Sequence, residues 1–181
     1  MKSYAIFLRG VTPVGKNRVP MAELRAALAK AGLCDVRTYI QSGNVIAKSA
    51  LGPDAIEALV HDAILKKIGA DLAVVARTHP QIKQILESNP FPADAAARTY
   101  YTLFVSAPTA ALVRDLLALD FSPDEVRVIG DTLYTLYATR HSDSKFNNNF
   151  YERKLKMAAT TRNFNTLSRL LKLSAEIFPG L

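Results

Sequence analysis

The sequence has little cysteine, few histidines and no long apolar run, and each shortage excludes a class of protein. The single cysteine, Cys34, cannot form an internal disulfide, which fits a reducing compartment. We interpret it as a buried or idle thiol rather than a nucleophile. A membrane helix needs about 20 apolar residues, and no apolar stretch approaches this length. The short apolar run near the start lacks the cleavage site of a signal peptide. We therefore expect a cytoplasmic protein without membrane association.

Signatures of metal sites and catalytic groups are also missing. The three histidines, His61, His79 and His141, are scattered and do not show the spacing of a metal site. Ser42 lies in no nucleophile elbow. The sequence therefore predicts no metal and no cofactor. No general base is visible, which weakens the case for an enzyme, but the sequence leaves open whether the protein is one.

Positive charge is concentrated at the two ends of the chain. The net charge of +7 divides into +5 for residues 1–30, −3 for residues 31–139 and +5 for residues 140–181. If the two ends meet in space, they form one basic surface that favours anionic partners, either a small molecule or a nucleic acid. The alternative is solvated surface charge without a partner.

Short apolar strands alternate with amphipathic helices in the first part of the chain, which predicts an α+β protein. The predicted elements are a strand at Tyr4–Leu8, a helix from Pro20 to Gly32, strands at Val36–Ile40 and Val45–Lys48, a helix from Pro53 to Gly69, and a strand at Leu72–Arg77. This order, βαββαβ, is the ferredoxin-like arrangement. Residues 1–78 are therefore predicted to form a ferredoxin-like subdomain.

The second half of the chain repeats part of this order after a helical linker segment at residues 79–99. The predicted elements are a strand at Tyr100–Val105, a helix around Leu112–Leu117, a hairpin of Glu125–Ile129 and Thr132–Tyr137, a helix from Lys145 to Met157, and a last helix from Thr161. Residues 100–181 are thus predicted to form a second small α+β subdomain, βαββα plus a C-terminal helix, with basic C-terminal helices.

Polar residues gather at one end of the first predicted sheet. In a βαββαβ unit, the loop after the first strand (residues 10–19) and the turn after the second strand (residues 41–44) lie at the same sheet end. This rim holds Arg9, Lys16, Asn17, Arg18, Gln41, Ser42 and Asn44. Cations flanked by amides can hold a phosphate or carboxylate through charge-assisted hydrogen bonds. The alternative is a well-satisfied loop whose polar groups hold the turns together.

The loop after the first strand matches part of the phosphate-loop consensus. The segment from Gly10 to Lys16 has the required glycines and lysine and follows a strand. However, Asn17 stands where a Ser or Thr would bind magnesium, and residues 18–20 separate the lysine from the helix. We therefore interpret the segment as a general anion loop and not as the site of a nucleoside triphosphatase.

A second polar cluster lies where the last helix is predicted to begin. Thr160 or Thr161 can cap this helix, and Arg162 and Asn163 then lie in its first turn. An arginine there opposes the helix dipole, and an anion bound at the helix start would remove the conflict. The alternative is that Arg162 pairs with an acidic residue of the other subdomain.

Four blocks of the sequence resemble a bacterial family known as domain of unknown function 1697. The segment Leu8–Leu24 resembles the family's opening block, LRGINVGGKN followed by proline and methionine, and Arg37–Val45 resembles its second block almost letter for letter. Asn89–Pro92 resembles the third block. Thr160–Thr166 resembles the fourth, in which tryptophan usually stands at the position of Phe164.

The resemblance implies two α+β subdomains, the first of them ferredoxin-like, and it implies no agreed activity. The motif positions present here are Arg9, Gly10, Gly15, Lys16, Asn17, Gln41, Ser42, Gly43, Asn44, Thr161, Arg162 and Asn163. The sequence departs from the family at residues 12–14, Thr-Pro-Val, where the family tends to have Asn, Val and Gly. The proline stiffens the loop, and the lost glycine reduces close backbone approach to an anion.

The favoured hypothesis is a protein that binds an anion on a basic surface at the junction of the subdomains. The ligand would be a nucleotide, a phosphorylated metabolite or a nucleic-acid backbone. The predicted binding residues are Arg9, Lys16, Asn17, Gln41, Ser42, Asn44, Thr161, Arg162 and Asn163. The alternatives are a metal-independent enzyme acting on a phosphorylated substrate, and a structural or interaction protein without a ligand. The sequence predicts no oligomeric state.

Overall fold

The structure, a computed structural model, describes residues 1–177. The described chain folds into two compact units, one of Met1–Lys83 with residues 169–177, the other of Gln84–Ser168. Each unit contains one antiparallel sheet of four strands. The α+β class and the two subdomains predicted from the sequence are confirmed.

The first unit has the βαββαβ order that the sequence predicts. Its elements are β1 (Lys2–Leu8), α1 (Met21–Lys30), β2 (Cys34–Tyr39), β3 (Asn44–Ser49), α2 (Pro53–Ile68) and β4 (Val74–Thr78). The strands lie in the order β2-β3-β1-β4, so β1 is an inner strand and β2 is an edge strand. The ferredoxin-like arrangement follows from this order.

An aliphatic core fixes the position of β1. Every residue of β1 after Lys2 is buried, as expected for an apolar inner strand. Ile6 pairs with Val45 on one side and with Ala76 on the other. Leu24 of α1 and Ile64 of α2 belong to the same buried cluster. The ends of β1 and β3, from which the loops of the candidate site leave, are therefore rigidly supported.

The second unit contains one strand more than the sequence predicts. Its elements are β5 (Thr99–Phe104), α4 (Ala110–Leu117), β6 (Glu125–Ile129), β7 (Thr132–Leu136), α5 (Asn148–Leu155) and β8 (Ala159–Asn163). The strand order is β6-β7-β5-β8, so this unit is also βαββαβ. The additional strand, β8, lies where the sequence predicts the start of the last helix.

The polar composition of β8 explains why it escaped prediction. Its sequence, ATTRN, lacks the apolar alternation that marks a strand. Thr161 pairs with Thr102 of β5, and their hydroxyl oxygens are 2.8 Å apart, so hydrogen bonding replaces apolar burial. The last helix, α6 (Phe164–Ile177), begins only after Asn163, whose side chain accepts a hydrogen bond from the backbone N–H of Thr166. Asn163, and not Thr160 or Thr161, therefore caps this helix.

Three further elements complete the described chain. They are α3 (His79–Glu87) and two 3₁₀ segments, Ala93–Arg98 and His141–Asp143. The division between the units falls within α3, after Lys83, and within α6, after Ser168.

Two features of the described residues concern membranes and the thiol. Within residues 1–177, no helix combines the length and the apolar character needed to cross a membrane. Cys34 is exposed, so it is not the buried thiol that was one of the two alternatives expected, and the idle thiol stays a prediction. The reason for the exposure is its place at the start of an edge strand, where a side chain has neighbours on one side only.

Candidate functional site

The loop between β1 and α1 is held in shape by its own hydrogen bonds. The N–H of Thr12 donates to the carbonyl of Asn17 at 3.1 Å, and the N–H of Arg18 donates to the carbonyl of Gly15 at 3.1 Å. The Asn17 side chain donates to the carbonyl of Gly10 at 3.3 Å. The Asn17 amide, predicted to bind a ligand, therefore closes the loop on itself.

The turn between β2 and β3 lies directly against this loop. Gly43 has a φ of +74°, and a Cβ atom on it would lie 2.7 Å from Cγ2 of Val11 and 2.8 Å from Cβ of Leu8. Its carbonyl accepts from the N–H of Leu8 at 2.8 Å. Only glycine fits this close approach with a positive φ. The loop and the turn are thus brought to the same end of the sheet.

Asn44 supports the turn from inside the protein. Its side chain is fully buried and donates to the carbonyl of Tyr39 at 3.2 Å and to Oγ of Ser42 at 2.8 Å. A buried amide with such partners stabilises a turn, because leaving its polar atoms unpaired would cost about 1–3 kcal/mol. The structure places Asn44 and Ser42 in the support of the turn.

A cavity of about 590 Å³ opens beside this loop and turn. The lining residues come from the loop, from the start of α1 and from the turn: Thr12, Pro13, Arg18, Val19, Pro20, Met21, Ala22, Arg25 and Gln41. Arg18 and Arg25 supply two positive charges, and none of the lining residues is acidic. The cavity therefore combines positive charge with an amide at Gln41 and several apolar side chains.

The first turn of α1 borders this cavity without a side-chain cap. Pro20 holds the N-cap position, where it has no capping side chain, and the first α-helical hydrogen bond runs from the N–H of Leu24 to the carbonyl of Pro20. The N–H groups before Leu24 are the ones that a helix cannot satisfy internally. Together with the helix dipole they attract an anion, although Glu23 in the same turn reduces this attraction.

Arg25 is the cation that sequence reasoning missed. Its Nη1 donates to Oγ1 of Thr38 at 2.7 Å, which fixes the guanidinium against β2. The same side chain borders a second cavity of about 400 Å³, lined also by Asp35, Val36, Arg37 and Thr38. In the sequence Arg25 is one polar residue on an amphipathic helix, and the only available signal was the high positive charge of residues 1–30.

The structure separates the predicted residues of the first unit into two groups. Gln41 lines the larger cavity, as does Arg18. Arg9, Lys16, Asn17, Ser42 and Asn44 are not among its lining residues. Lys16 is exposed on the loop, and the backbone N–H of Arg9 donates to the carbonyl of Ala73 at 2.9 Å.

The predicted residues of the second unit lie on a strand and not at a helix start. Thr161 contacts Asn148 of α5, with Oγ1 and Oδ1 2.9 Å apart. Arg162 donates through Nη1 to Oγ1 of Thr160 at 2.6 Å and to the carbonyl of Thr161 at 2.9 Å. Burial lowers the pKa of Arg162 to about 10. Because Arg162 lies in β8, the predicted conflict with the dipole of the last helix does not arise.

The described residues offer no grouping that resembles a metal site. Within residues 1–177, no three His, Cys, Asp or Glu side chains are placed together as metal ligands would be. Phe146 and Tyr151 are buried in the core of the second unit, so their rings are not available to a ligand. The site chemistry that the structure does present is the cationic cavity of the first unit.

Comparison with known proteins identifies the family and the fold. The profile of a family described as protein of unknown function (DUF1697) matches residues 1–134. A solved structure described as conserved bacterial protein SP0830 from Streptococcus pneumoniae is similar, with a TM-score of 0.74 and 22% identity over 96% of this chain and 98% of that chain. At this identity the likeness shows a shared fold alone. No curated protein gave a significant match.

The loop and the turn that border the cavity lie within two blocks of the family resemblance. The block Leu8–Leu24 includes the loop after β1, the block Arg37–Val45 includes the turn before β3, and the profile match spans both. Since that match covers well over half of the 181 residues, the chain belongs to the DUF1697 family of proteins of unknown function.

Proposed function

We propose that the first unit binds an anionic, phosphate-bearing ligand in the cavity between the β1–α1 loop and α1. The observation that carries this proposal is the pairing of Arg18 and Arg25 on one cavity with the uncapped start of α1. Guanidinium groups and free helix amides are both favourable partners of phosphate oxygens. Of the residues predicted from the sequence, Gln41 keeps its binding role in this proposal.

The two arginines serve complementary purposes in this proposal. Arg18 is exposed on the loop, so it can move to follow a ligand. Arg25 is restrained by its bond to Thr38, which uses one of the five N–H donors of its guanidinium. A restrained donor loses less conformational entropy on binding, so Arg25 is expected to contribute more of the affinity.

A thermal-shift screen tests the proposal. The protein is heated with nucleotides, phosphosugars and short oligonucleotides at low and at high salt. At least one class is expected to raise Tm at low salt, and the rise is expected to shrink at high salt. Arg25→Ala and Arg18→Ala should remove the rise, each measured against the unliganded Tm of the same variant.

Lys66→Ala is the matched control. Lys66 is an exposed cation of the same unit, lies on α2 and does not line either cavity of the candidate site. It should leave the rise in Tm unchanged. A flat screen with every ligand class, or an equal loss with Lys66→Ala, contradicts the proposal.

The structural alternative is favoured for the second polar cluster. The side chains of Thr161 and Arg162 are engaged in hydrogen bonds within their own unit. We propose that they stabilise the second sheet. A contribution to binding from these two residues, or from Arg9, Lys16 and Asn163, stays a prediction.

We also propose a cytoplasmic location, which is supported by the exposed thiol of Cys34, because such thiols persist in reducing compartments.

A further inference from the structure

The cavity of the first unit has two chemically different linings. Arg18, Arg25 and Gln41 supply charge and an amide. Pro13, Val19, Pro20, Met21 and Ala22, which form more than half of the lining residues, supply apolar surface. Val19 and Met21 are almost fully buried, so they belong to the interior end of the cavity. An inorganic anion would use the first lining and leave the second without a partner.

The size of the cavity also exceeds what a simple anion requires. Its volume of about 590 Å³ lies within the range of roughly 300–1,000 Å³ that is usual for small organic ligands. The lining is poor in partners for sugar hydroxyls, because its single hydroxyl, that of Thr12, already donates to the carbonyl of Val14 at 2.7 Å. A sugar phosphate, whose body offers only hydroxyls to this lining, would lose more hydrogen bonds to water than it gains there, whereas a nucleotide can turn its base to the lining and leave its two ribose hydroxyls in solvent.

We propose that the ligand is an organic phosphate that carries a flat ring system with apolar faces, of the size and chemistry of a nucleoside monophosphate. This inference rests on the proposed function and specifies its ligand. The phosphate lies against Arg18, Arg25 and the start of α1. The base lies against the apolar lining, and Gln41 hydrogen-bonds its polar edge, as glutamine amides do with adenine.

Titration calorimetry with four probes tests this inference. The probes are inorganic phosphate, ribose 5-phosphate, adenosine monophosphate and adenosine. Adenosine monophosphate is expected to bind at least tenfold more tightly than ribose 5-phosphate, and adenosine alone at least tenfold more weakly than its monophosphate. Equal binding of ribose 5-phosphate and adenosine monophosphate overturns the inference while phosphate binding stands. Equal binding of adenosine and its monophosphate, or no binding of any phosphate, overturns the proposed function as well.

Two substitutions in one loop separate the apolar contact from the charge. Pro13→Ser removes apolar surface from the cavity and is expected to reduce the preference for adenosine monophosphate over ribose 5-phosphate at least threefold. Val14→Ser is the control, because Val14 is 74% exposed and does not line the cavity. It should leave the preference unchanged. An equal effect of both substitutions, or no effect of Pro13→Ser, contradicts the placement of the base.

Discussion

The two units have the same strand order, yet their first connections differ. In the first unit residues 9–20 join β1 to α1, whereas residues 105–109 suffice between β5 and α4 in the second. The short connection ends in Thr109, whose hydroxyl caps α4 by accepting from the N–H of Leu112. The long connection ends in Pro20, which offers no cap. The fold therefore does not require a long basic loop or an uncapped helix, and their presence beside Arg18 and Arg25 favours a role in binding.

The cores of the units differ as well. The buried cluster of the first unit is mainly aliphatic, with Ile6, Leu24 and Ile64 among its members. The cluster of the second unit contains Phe104, Phe121, Phe146 and Tyr151. The same topology thus tolerates two kinds of packing, as expected where strand order depends on the apolar pattern more than on residue identity.

The largest effect is expected from breaking the contact between turn and loop in the first unit. Gly43→Ala would place a side chain on a residue with a positive φ, and its Cβ atom would lie 2.7 Å from Cγ2 of Val11. The substitution is therefore expected to lower the free energy of unfolding by about 2–4 kcal/mol. Gly130→Ala, in the β6–β7 turn, has a similar φ of +59° but no neighbour within 4 Å, so about 1–2 kcal/mol is expected. Chemical denaturation of both variants measures the difference. Equal losses would mean that the close approach is unimportant.

The helix starts offer the second test. Pro20→Asp adds a cap to α1 and places a carboxylate beside the cavity, so it is expected to weaken phosphate binding at least tenfold, about 1.4 kcal/mol. Its stability should change by less than about 1 kcal/mol, since the cap offsets the lost rigidity of proline. Thr109→Ala should instead cost about 1 kcal/mol of stability and leave binding unchanged. Calorimetric titration and denaturation of both variants check these outcomes. Unchanged affinity in Pro20→Asp would place the ligand elsewhere.

The tyrosines of the second unit provide a third test within one core. The hydroxyls of Tyr151 and Thr135 are 2.8 Å apart and both residues are fully buried. Tyr151→Phe should therefore cost about 1 kcal/mol. The Tyr101 hydroxyl is buried and has no hydrogen-bond partner within the described residues, so Tyr101→Phe should be neutral or stabilising. Equilibrium denaturation distinguishes the two, and a larger loss for Tyr101→Phe would reveal a partner for its hydroxyl.

The sequence predicted most of the first unit because its signals are local. Apolar runs mark β1 and β3, Gly69 ends α2 with a positive φ of 79°, and the glycine-containing turn separates β2 from β3. Strand β8 could not be predicted, because most of its residues are polar and show no apolar alternation. Distance to the partner strand is not the reason, since β4 pairs with β1 from even farther along the chain and was predicted from its apolar residues.

The sequence predicted where the loop and the turn lie but not which side chains line the cavity beside them. Topology alone places the loop and the turn at one sheet end. An amide that holds a turn, as Asn17 and Asn44 do, has the same sequence signature as one that binds a ligand. Arg25 of α1 became a candidate only because it lines the cavity and is held by Thr38 of β2. The role of each side chain therefore could be assigned only from the structure, whereas the position of the loop and the turn followed from the strand order.

The smallest expected effect concerns two histidines whose pKa values shift in opposite directions. In the first unit, hydrogen bonds to the carboxylates of Asp71 and Asp62 raise the pKa of His61. In the second unit, burial lowers the pKa of His141, which stacks on Tyr100 with ring centroids 4.6 Å apart. A raised pKa in the folded state stabilises the protein below about pH 6.5, and the stabilisation is lost as pH rises through that pKa. A lowered pKa gives stability above about pH 6.5 that is lost as the protein is acidified.

The two histidines are therefore expected to act oppositely on the pH dependence of Tm. Replacing His61 by Gln should lower Tm at pH 5, with the difference from the wild type diminishing toward pH 8. Replacing His141 by Gln should reduce the loss of Tm that the wild type shows on acidification from pH 8 to pH 5. The His61 effect is small, since its partners are exposed and screened by water. Because each profile is compared with that of the wild type, titration of the other groups cancels, and two differences of the same sign would mean that one assigned environment is wrong.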